Sequence, residues 1–293
     1  MDLIVILVAG VLVGGIYALV AIGLNLVFGV IRVVNFAHGE FLMLGMYGAY
    51  LASTTWGLSP YVSSWLLVAP AGFLLGVLVQ RFVIQRLLDN QLMQMFATFG
   101  LIIVFQNTVL AMTRGEPKST RSSASTATLD VFGVAVSVPR LIILIVSVLL
   151  TVVLVIFLKR TVAGTAIRAV AQDRNTARLM GINVHQVYLV TFGLSAALAA
   201  LAGALLAPVY TATPTIGFQF VLPAFAVVVL GGLGSVSGSL VGGLLVGVVE
   251  QLSGFYLDPS LKQAVWFTLF VVALVFRPAG LFGQVGSEHV GAR

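Results

Sequence analysis

The stretch Lys159-Arg-Thr-Val-Ala-Gly164-Thr-Ala-Ile-Arg168-Ala-Val-Ala-Gln-Asp173-Arg-Asn-Thr-Ala-Arg178-Leu-Met-Gly181 interrupts a chain built almost wholly of apolar runs. Its five cations, Lys159, Arg160, Arg168, Arg174 and Arg178, are a third of all the Lys and Arg in the protein, and Asp173 is the single acid among them. Basic residues between two apolar runs are retained on the cytoplasmic side during insertion, so the stretch predicts an inner loop and orients every span around it. It also reads as one short helix from Gly164 to Ile182, ending at Gly181. A membrane protein that holds a compact helix in the cytosol offers it to a partner.

The bilayer as solvent follows from composition. Apolar residues make up 60% of the 293 and charged residues 8%, with a mean hydropathy of +1.12, whereas about a quarter of a soluble domain is charged. With no cysteine, neither a disulfide framework nor a thiolate metal or redox site is available. The formal charge of +6 sits in loops between apolar runs rather than on a soluble face, which argues for lipid and against nucleic acid as the partner. Met1-Asp2-Leu3 lacks the basic start of a cleaved signal, so the first run is expected to be a retained helix.

About 20 apolar residues cross a bilayer core of roughly 30 Å. That ruler predicts spans over 3–30, 41–55, 61–79, 93–113, 139–158, 188–208, 221–233, 237–253 and 262–276, an all-α polytopic bundle of 8–9 membrane segments in one transmembrane domain over 1–293. With the 159–187 loop inside, the turn at Arg81, Arg86 and Asp89 is inside too. The 114–138 loop, whose Ser/Thr-rich part from Arg114 to Thr128 reads as flexible, falls outside, as do 54–60 and 208–219. The N-terminus is then external and the C-terminus, after Arg277, cytoplasmic. Residues 221–233 would make only about 20 Å of helix, too little to cross alone, and are expected to form a re-entrant half-helix paired with the next segment. Gly10 and Gly14, Gly72 and Gly76, Ala199 and Gly203, Gly234 and Gly238, and Gly243 and Gly247 stand four apart, which puts small residues on single helix faces and lets backbones approach closely.

Polar residues at membrane depth are costly and so point to function. Asn25 and the run Arg32 to Phe41, with Asn35, His38 and Glu40, contain too few apolar residues for a clean span. Two readings stand: an element that lines or gates a pathway, or a short inner turn in which Arg32 and Glu40 pair. No third ligand accompanies His38 and Glu40, and no His-Glu-x-x-His pattern occurs, so no metal site is expected. Gln106 and Asn107 read as interhelical hydrogen-bonding groups, and Glu250 as a carboxylate that snorkels or pairs. The run Leu230-Gly-Gly-Leu-Gly-Ser-Val-Ser-Gly238 lacks the Lys-Ser/Thr ending of a phosphate loop. It is expected to bend tightly between two short membrane helices, with Gly231, Gly232 and Gly234 lining the conduit. No hydrolytic constellation and no buried proton relay is present.

On a helical wheel the 164–181 segment gathers Ala166, Ala169, Val170, Ala177 and Met180 on one side, and Arg168, Arg174, Asn175 and Arg178 on the other; Ile167, Ala171 and Leu179 fall in the basic arc and Asp173 in the apolar one. Lipid binding by the arginines and docking in a groove of another protein both fit this face.

Four ordered blocks, Asn35 to Gly45, Arg168 to Asp173 with Ala177 to Val184, Val229 to Ser235, and Phe276 to Phe282, closely resemble the LivH-type permeases of bacterial branched-chain amino acid ABC importers. The likeness runs from about Gly14 to Gly283. It implies a multi-pass permease of the bacterial inner membrane that pairs with a second, LivM-like permease, sits on two cytoplasmic ATPases, and receives substrate from an extracytoplasmic binding protein. ATP and Mg would be held by the ATPases, with no cofactor on this chain. In that family the loop matching Gly164 to Gly181 couples to an ATPase, which puts Gly164, Arg168, Ala169, Asp173, Ala177 and Gly181 in that role here. Urea and short-amide importers use related permeases, and the Asn35 to Glu40 block looks more like the amino acid branch. The residues alone also accommodate a secondary transporter or a channel that works without ATPases.

Overall fold

The computed structural model describes residues 2–88, 90–120, 125–131, 134–277 and 280–283; Asp89 of the expected inner turn lies outside them. In chain order the elements are α1 (Asp2–Ile31), α2 (His38–Trp56), α3 (Pro60–Ser63), a π-helical turn Ser64–Val68 leading directly into α4 (Ala69–Phe82), a 3₁₀ turn Ile84–Leu87, α5 (Gln91–Thr113), β1 (Thr128–Val131), β2 (Val134–Ser137), α6 (Val138–Arg160), α7 (Val162–Gln172), α8 (Arg174–Leu179), α9 (Val184–Leu206), α10 (Gly217–Gly231), α11 (Val236–Tyr256), a 3₁₀ turn Pro259–Leu261 and α12 (Lys262–Phe276). Several helix starts are set by side chains that accept orphan N–H groups. Ser59 does this for Val62, Asn90 for Met93, Asn183 for Gln186 and Ser235 for Gly238.

Among the described residues seven segments are long and apolar enough to cross a membrane: Leu3–Ile31, Pro60–Leu87, Gln91–Thr113, Val138–Arg160, Val184–Leu206, Val236–Tyr256 and Pro259–Phe276. The other two of the nine expected segments differ for physical reasons. α2 begins with His38 and Glu40, both fully buried in protein rather than facing lipid. α10 has 15 residues, about 22 Å of helix. α11 is a full-length helix, so only one member of the glycine-linked pair is short.

Without a hydrophobic drive between helices in lipid, close packing has to hold the bundle. α1 and α11 run antiparallel with Gly10 and Gly14 set against Gly247 and Gly243; a Cβ on Gly247 would overlap the Gly14 backbone. On α9, Ala196 and Ala200 receive Gly76 and Gly72 of α4, and Gly203 meets the Leu42 carbonyl of α2. Gly234 and Gly238 share no helix face, because Gly234 lies in the loop before α11. The buried core surrounds α1, α2, α9 and α10, including Ile22, Leu24, Phe41, Phe192 and Val227.

The 114–138 connection is not a loose loop throughout. β1 and β2 pair antiparallel with Thr128 opposite Ser137, and Lys118 exchanges both backbone hydrogen bonds with Ala212, at 3.0 and 2.8 Å. Tyr47 Oη donates to the same Ala212 carbonyl. Next to that bridge, the Lys118 ammonium 2.7 Å from Glu116 holds the Glu116 carboxyl below its ordinary range.

Gly247→Leu is expected to abolish the α1–α11 contact and cut the yield of monodisperse protein in detergent, since overpacking a tight core costs about 1–3 kcal/mol or more. Gly100→Ala, where a Cβ meets nothing within 4 Å, is expected to leave the yield and the thermal midpoint unchanged or slightly higher.

Candidate functional site

Two sequence features meet at one end of the bundle. The first is the break between α10 and α11. Gly231 ends α10, and Gly232 (φ 107°) and Gly234 (φ 82°) take left-handed backbone that a side chain strains. Non-helical backbone at membrane depth must find its hydrogen bonds in protein, and Asn25 of α1 supplies them. Its Nδ2 is shared among the Gly232 carbonyl at 3.1 Å, the Ser235 carbonyl at 2.8 Å and Ser239 Oγ at 2.7 Å. Its Oδ1 accepts from the Gly234 N–H at 2.5 Å. The returning C-terminal stretch seals the other side, with Leu281 N–H donating to the Leu230 carbonyl and Phe282 N–H to that of Gly231.

The second feature is the basic arm, and here the single-helix expectation is corrected. Asp173 is extended and ends α7; its Oδ1 then accepts from Asn175 and Thr176 N–H, at 2.7 and 3.0 Å, and starts α8. The break resets the helical phase, so the continuous wheel misplaces the inward face. Gly164, Ile167, Val170 and Ala177 are buried, Ala169 is half-buried, and Met180 is exposed. Gly164 seats against the Phe157 carbonyl and Leu158 at the end of α6. Arg168 Nε donates to the Leu158 carbonyl at 2.8 Å. After α8 the chain closes a glycine stop: Gly181 N–H reaches the Arg178 carbonyl and Ile182 N–H the Ala177 carbonyl, with Gly181 at φ 83°. Val162, Leu179 and Met180 are left 78–89% exposed on this arm.

Between the two features lies a cavity of about 750 Å³. Arg32, Lys159 and Arg168 bring positive charge to it from α1's end, α6 and α7, and Gly234, Ser235 and Ser237 close it from the α10–α11 break. Arg32 leaves α1 at φ 58°, so the chain turns sharply there.

The predicted Asn35 to Glu40 run folds back into the bundle. His38 Nε2 lies 3.0 Å from the Val20 carbonyl and donates to it, a position eleven residues, or about 16 Å, back along α1 from Ile31. Glu40 does not pair with Arg32, which is exposed; its Oε1 accepts from Gln106 Nε2 of α5 at 2.9 Å. Asn35 Oδ1, His38 Nδ1 and Glu40 Oε2 are buried with no hydrogen-bond partner among the described residues. Gly39 packs on Gly217 at the start of α10, so this run and the half-helix are neighbours. The structure thus joins Asn25 directly to Gly232 and Gly234, and leaves Asn35, His38 and Glu40 a separate buried polar group. Asn107 is exposed and among the described residues bonds only the Ile103 carbonyl of its own helix, so of the expected interhelical pair Gln106 is the one that reaches another helix there. Sequence reading missed Ser239, the third partner of Asn25, and the buried Gln80, Thr191 and Ser195, whose polar atoms also lack partners. The four-residue spacing of Thr191 and Ser195 on α9 was the available signal. Among the described residues no three His, Cys, Asp or Glu side chains gather.

Residues 6–274 match the family model described as branched-chain amino acid transport system, permease component. Similar proteins include the high-affinity branched-chain amino acid transport system permease protein LivH of Salmonella typhimurium, 36% identical over 96% of each chain. BraD of Pseudomonas aeruginosa, a permease protein of the same description, is 35% identical over 97% of each. LivM of Salmonella typhimurium is 30% identical over 91% of this chain and 67% of its own. No solved structure matches.

Asn25→Leu is expected to strand the Gly234 N–H and lower stability by about 1–3 kcal/mol, read as an earlier heat-induced loss of monodisperse protein. Asn107→Leu, on an exposed face, should leave that midpoint unchanged.

Proposed function

The chain belongs to the family of branched-chain amino acid transport permease components, a multi-pass inner-membrane permease subunit and not an enzyme, and from that premise we propose how it works. It is the translocation subunit of an ATP-driven importer for branched-chain or similar hydrophobic amino acids. A second permease related to LivM completes the pathway. Two cytoplasmic ATPases carry ATP and Mg, and an extracytoplasmic binding protein delivers the substrate. The arm faces the cytoplasm, as does the C-terminus, and the N-terminus is outside. The observation that carries this reading is the build of the arm: it is anchored by Ile167, Val170, Ala177 and the Arg168 bond, yet holds Leu179 and Met180 out, 88% and 78% exposed. Large apolar side chains held outward on a rigid, solvent-side element fit docking into a groove of another protein.

Movement of the arm reaches the pathway through the basic cavity, because Arg168 and Ser235 border the same space. Closure of the ATPases would favour one of two packings of the bundle and nucleotide release the other. In this reading Gly164, Arg168, Ala169, Asp173, Ala177 and Gly181 shape and seat the arm. Asn25, Gly231, Gly232 and Gly234 hold the break that responds. The orphaned atoms of Asn35, His38 and Glu40 are groups that gain partners in another state of the cycle.

The test is reconstitution with the ATPases and binding protein. Leu179→Asp with Met180→Asp should lower ATPase co-purification about tenfold or more while leaving the permease's thermal midpoint unchanged, since both side chains are exposed. Asp173→Ala, which removes a cap worth about 1 kcal/mol, should raise the ATP hydrolysed per substrate imported. ATPase retention by the double variant, together with unchanged coupling in Asp173→Ala, would overturn the role of the arm.

A further inference from the structure

The half of the bundle away from the arm holds a second space of about 370 Å³, an open groove between α1, α10, α11 and α12 in which Phe218, Leu222 and Phe267 are 43–56% exposed. Nothing in the coupling arrangement uses it. Its most unusual wall residue is Glu250, a carboxylate on a membrane helix at an only partly buried position. Ionisable groups inside the membrane face a partner or a polar space rather than lipid. Tyr17 Oη donates to Glu250 Oε2 at 2.7 Å, which fixes the carboxylate at the cavity edge. Glu250 Oε1 takes no hydrogen bond among the described residues.

A second acceptor comes from the backbone. Pro223 lies inside α10 and has no N–H, so the helix cannot close its bond to the Gln219 carbonyl. Gln219 and Pro223 both line the cavity. The opposite wall is aromatic: Trp266, 5% exposed, and Phe267 pack edge to face at 5.9 Å. Gln263 adds an amide that can donate.

We propose that this cavity binds a zwitterionic amino acid with an apolar side chain. Glu250 and the Gln219 carbonyl take the α-ammonium, the aromatic wall takes the side chain, and the glutamine amides take the carboxylate. A volume near 370 Å³ lies at the lower end of the range for small-molecule sites, about 300–1,000 Å³. Among the described residues of the wall Glu250 is the one charged side chain, with Lys262 packed on Gly254 one turn further along α11, so the wall disfavours a ligand of net negative charge. The proposal rests on the importer reading and gives this chain a substrate contact in the half where, in that reading, the binding protein delivers.

The experiment uses the complex of both permeases and the ATPases in lipid nanodiscs, without binding protein, and measures tritiated leucine binding. Saturable binding is expected, displaced by unlabelled leucine and not by 4-methylpentanoate, which lacks the ammonium. Glu250→Gln should weaken it at least about tenfold, the order expected for losing a charge-assisted bond, with the melting temperature and the second permease retained. Glu116→Gln, on the exposed loop, should bind as the unaltered complex does. Absence of saturable binding, or Glu250→Gln binding at full strength, overturns the site. So does loss of the second permease from Glu250→Gln, which would assign the carboxylate to the subunit contact. ATP-driven leucine uptake with binding protein, run in parallel, separates the two readings. Uptake that is normal in Glu250→Gln removes this site alone; no uptake by the unaltered complex removes the importer reading as well.

Discussion

Asn25 is the residue on which the break between α10 and α11 depends. In a bilayer core no water stands ready to satisfy a broken helix, so each N–H and carbonyl released at the α10–α11 break needs a partner from protein. One carboxamide has a donor end and an acceptor end, and Asn25 uses both: three acceptors share its Nδ2 and the Gly234 N–H reaches its Oδ1. An aspartate would offer no donor and a leucine neither. Because Asn25 lies within α1, and α1 packs on α11 through the glycines at 10, 14, 243 and 247, the break is tied to the longest helix as well as to its own flank α11. A displacement of α1 against α11 therefore reaches the break directly.

The arm has the opposite character. Its inward face is small and seated on main chain, with Gly164 against the Phe157 carbonyl and Arg168 tied to the Leu158 carbonyl. Its outward face presents Val162, Leu179 and Met180, 78–89% exposed among the described residues. Rigid attachment on one side and unspent apolar surface on the other suit an element that transmits displacement. The caps sharpen this: Asp173 stops one helix and starts the next within one residue, and Gly181 stops the second. The arm is thus two short rods joined at Asp173.

Much of this was legible in the residues. Run lengths gave the helices to within a few residues, because bilayer thickness sets helix length, and the glycine spacing at 10/14 and 243/247 marked a true interface. Three things were not legible. The wheel through 164–181 assumed one helix, and a lone Asp173 in a helix-compatible sequence does not announce that its side chain will cap the next turn instead of continuing the first. The fold-back at Asn35 to Glu40 depends on the Val20 carbonyl and on Gln106, partners distant in sequence that no local pattern names. Glu250 was recognised as needing a partner, but Tyr17, 233 residues away, has no sequence relation to it.

The two cavities lie toward opposite ends of the same hairpin. The arm-end cavity reaches Leu233 to Ser237, and the other reaches Phe218 to Pro223. Between them α10 is packed shut: Ala224, Val227 and Val228 are at most 1% exposed. Dense packing moves between discrete arrangements rather than stretching, so a route through this chain would open by shifting α10 as a unit. Its two ends permit that. Pro223 removes a bond near the start of the half-helix, and Gly231 and Gly232 free the backbone at its close. α10 lines the far space itself and joins the arm-end one only through the break that follows it, Leu233 to Ser237, so a short rod hinged at both ends and followed by a break fastened through Asn25 to α1 can turn without leaving the bilayer.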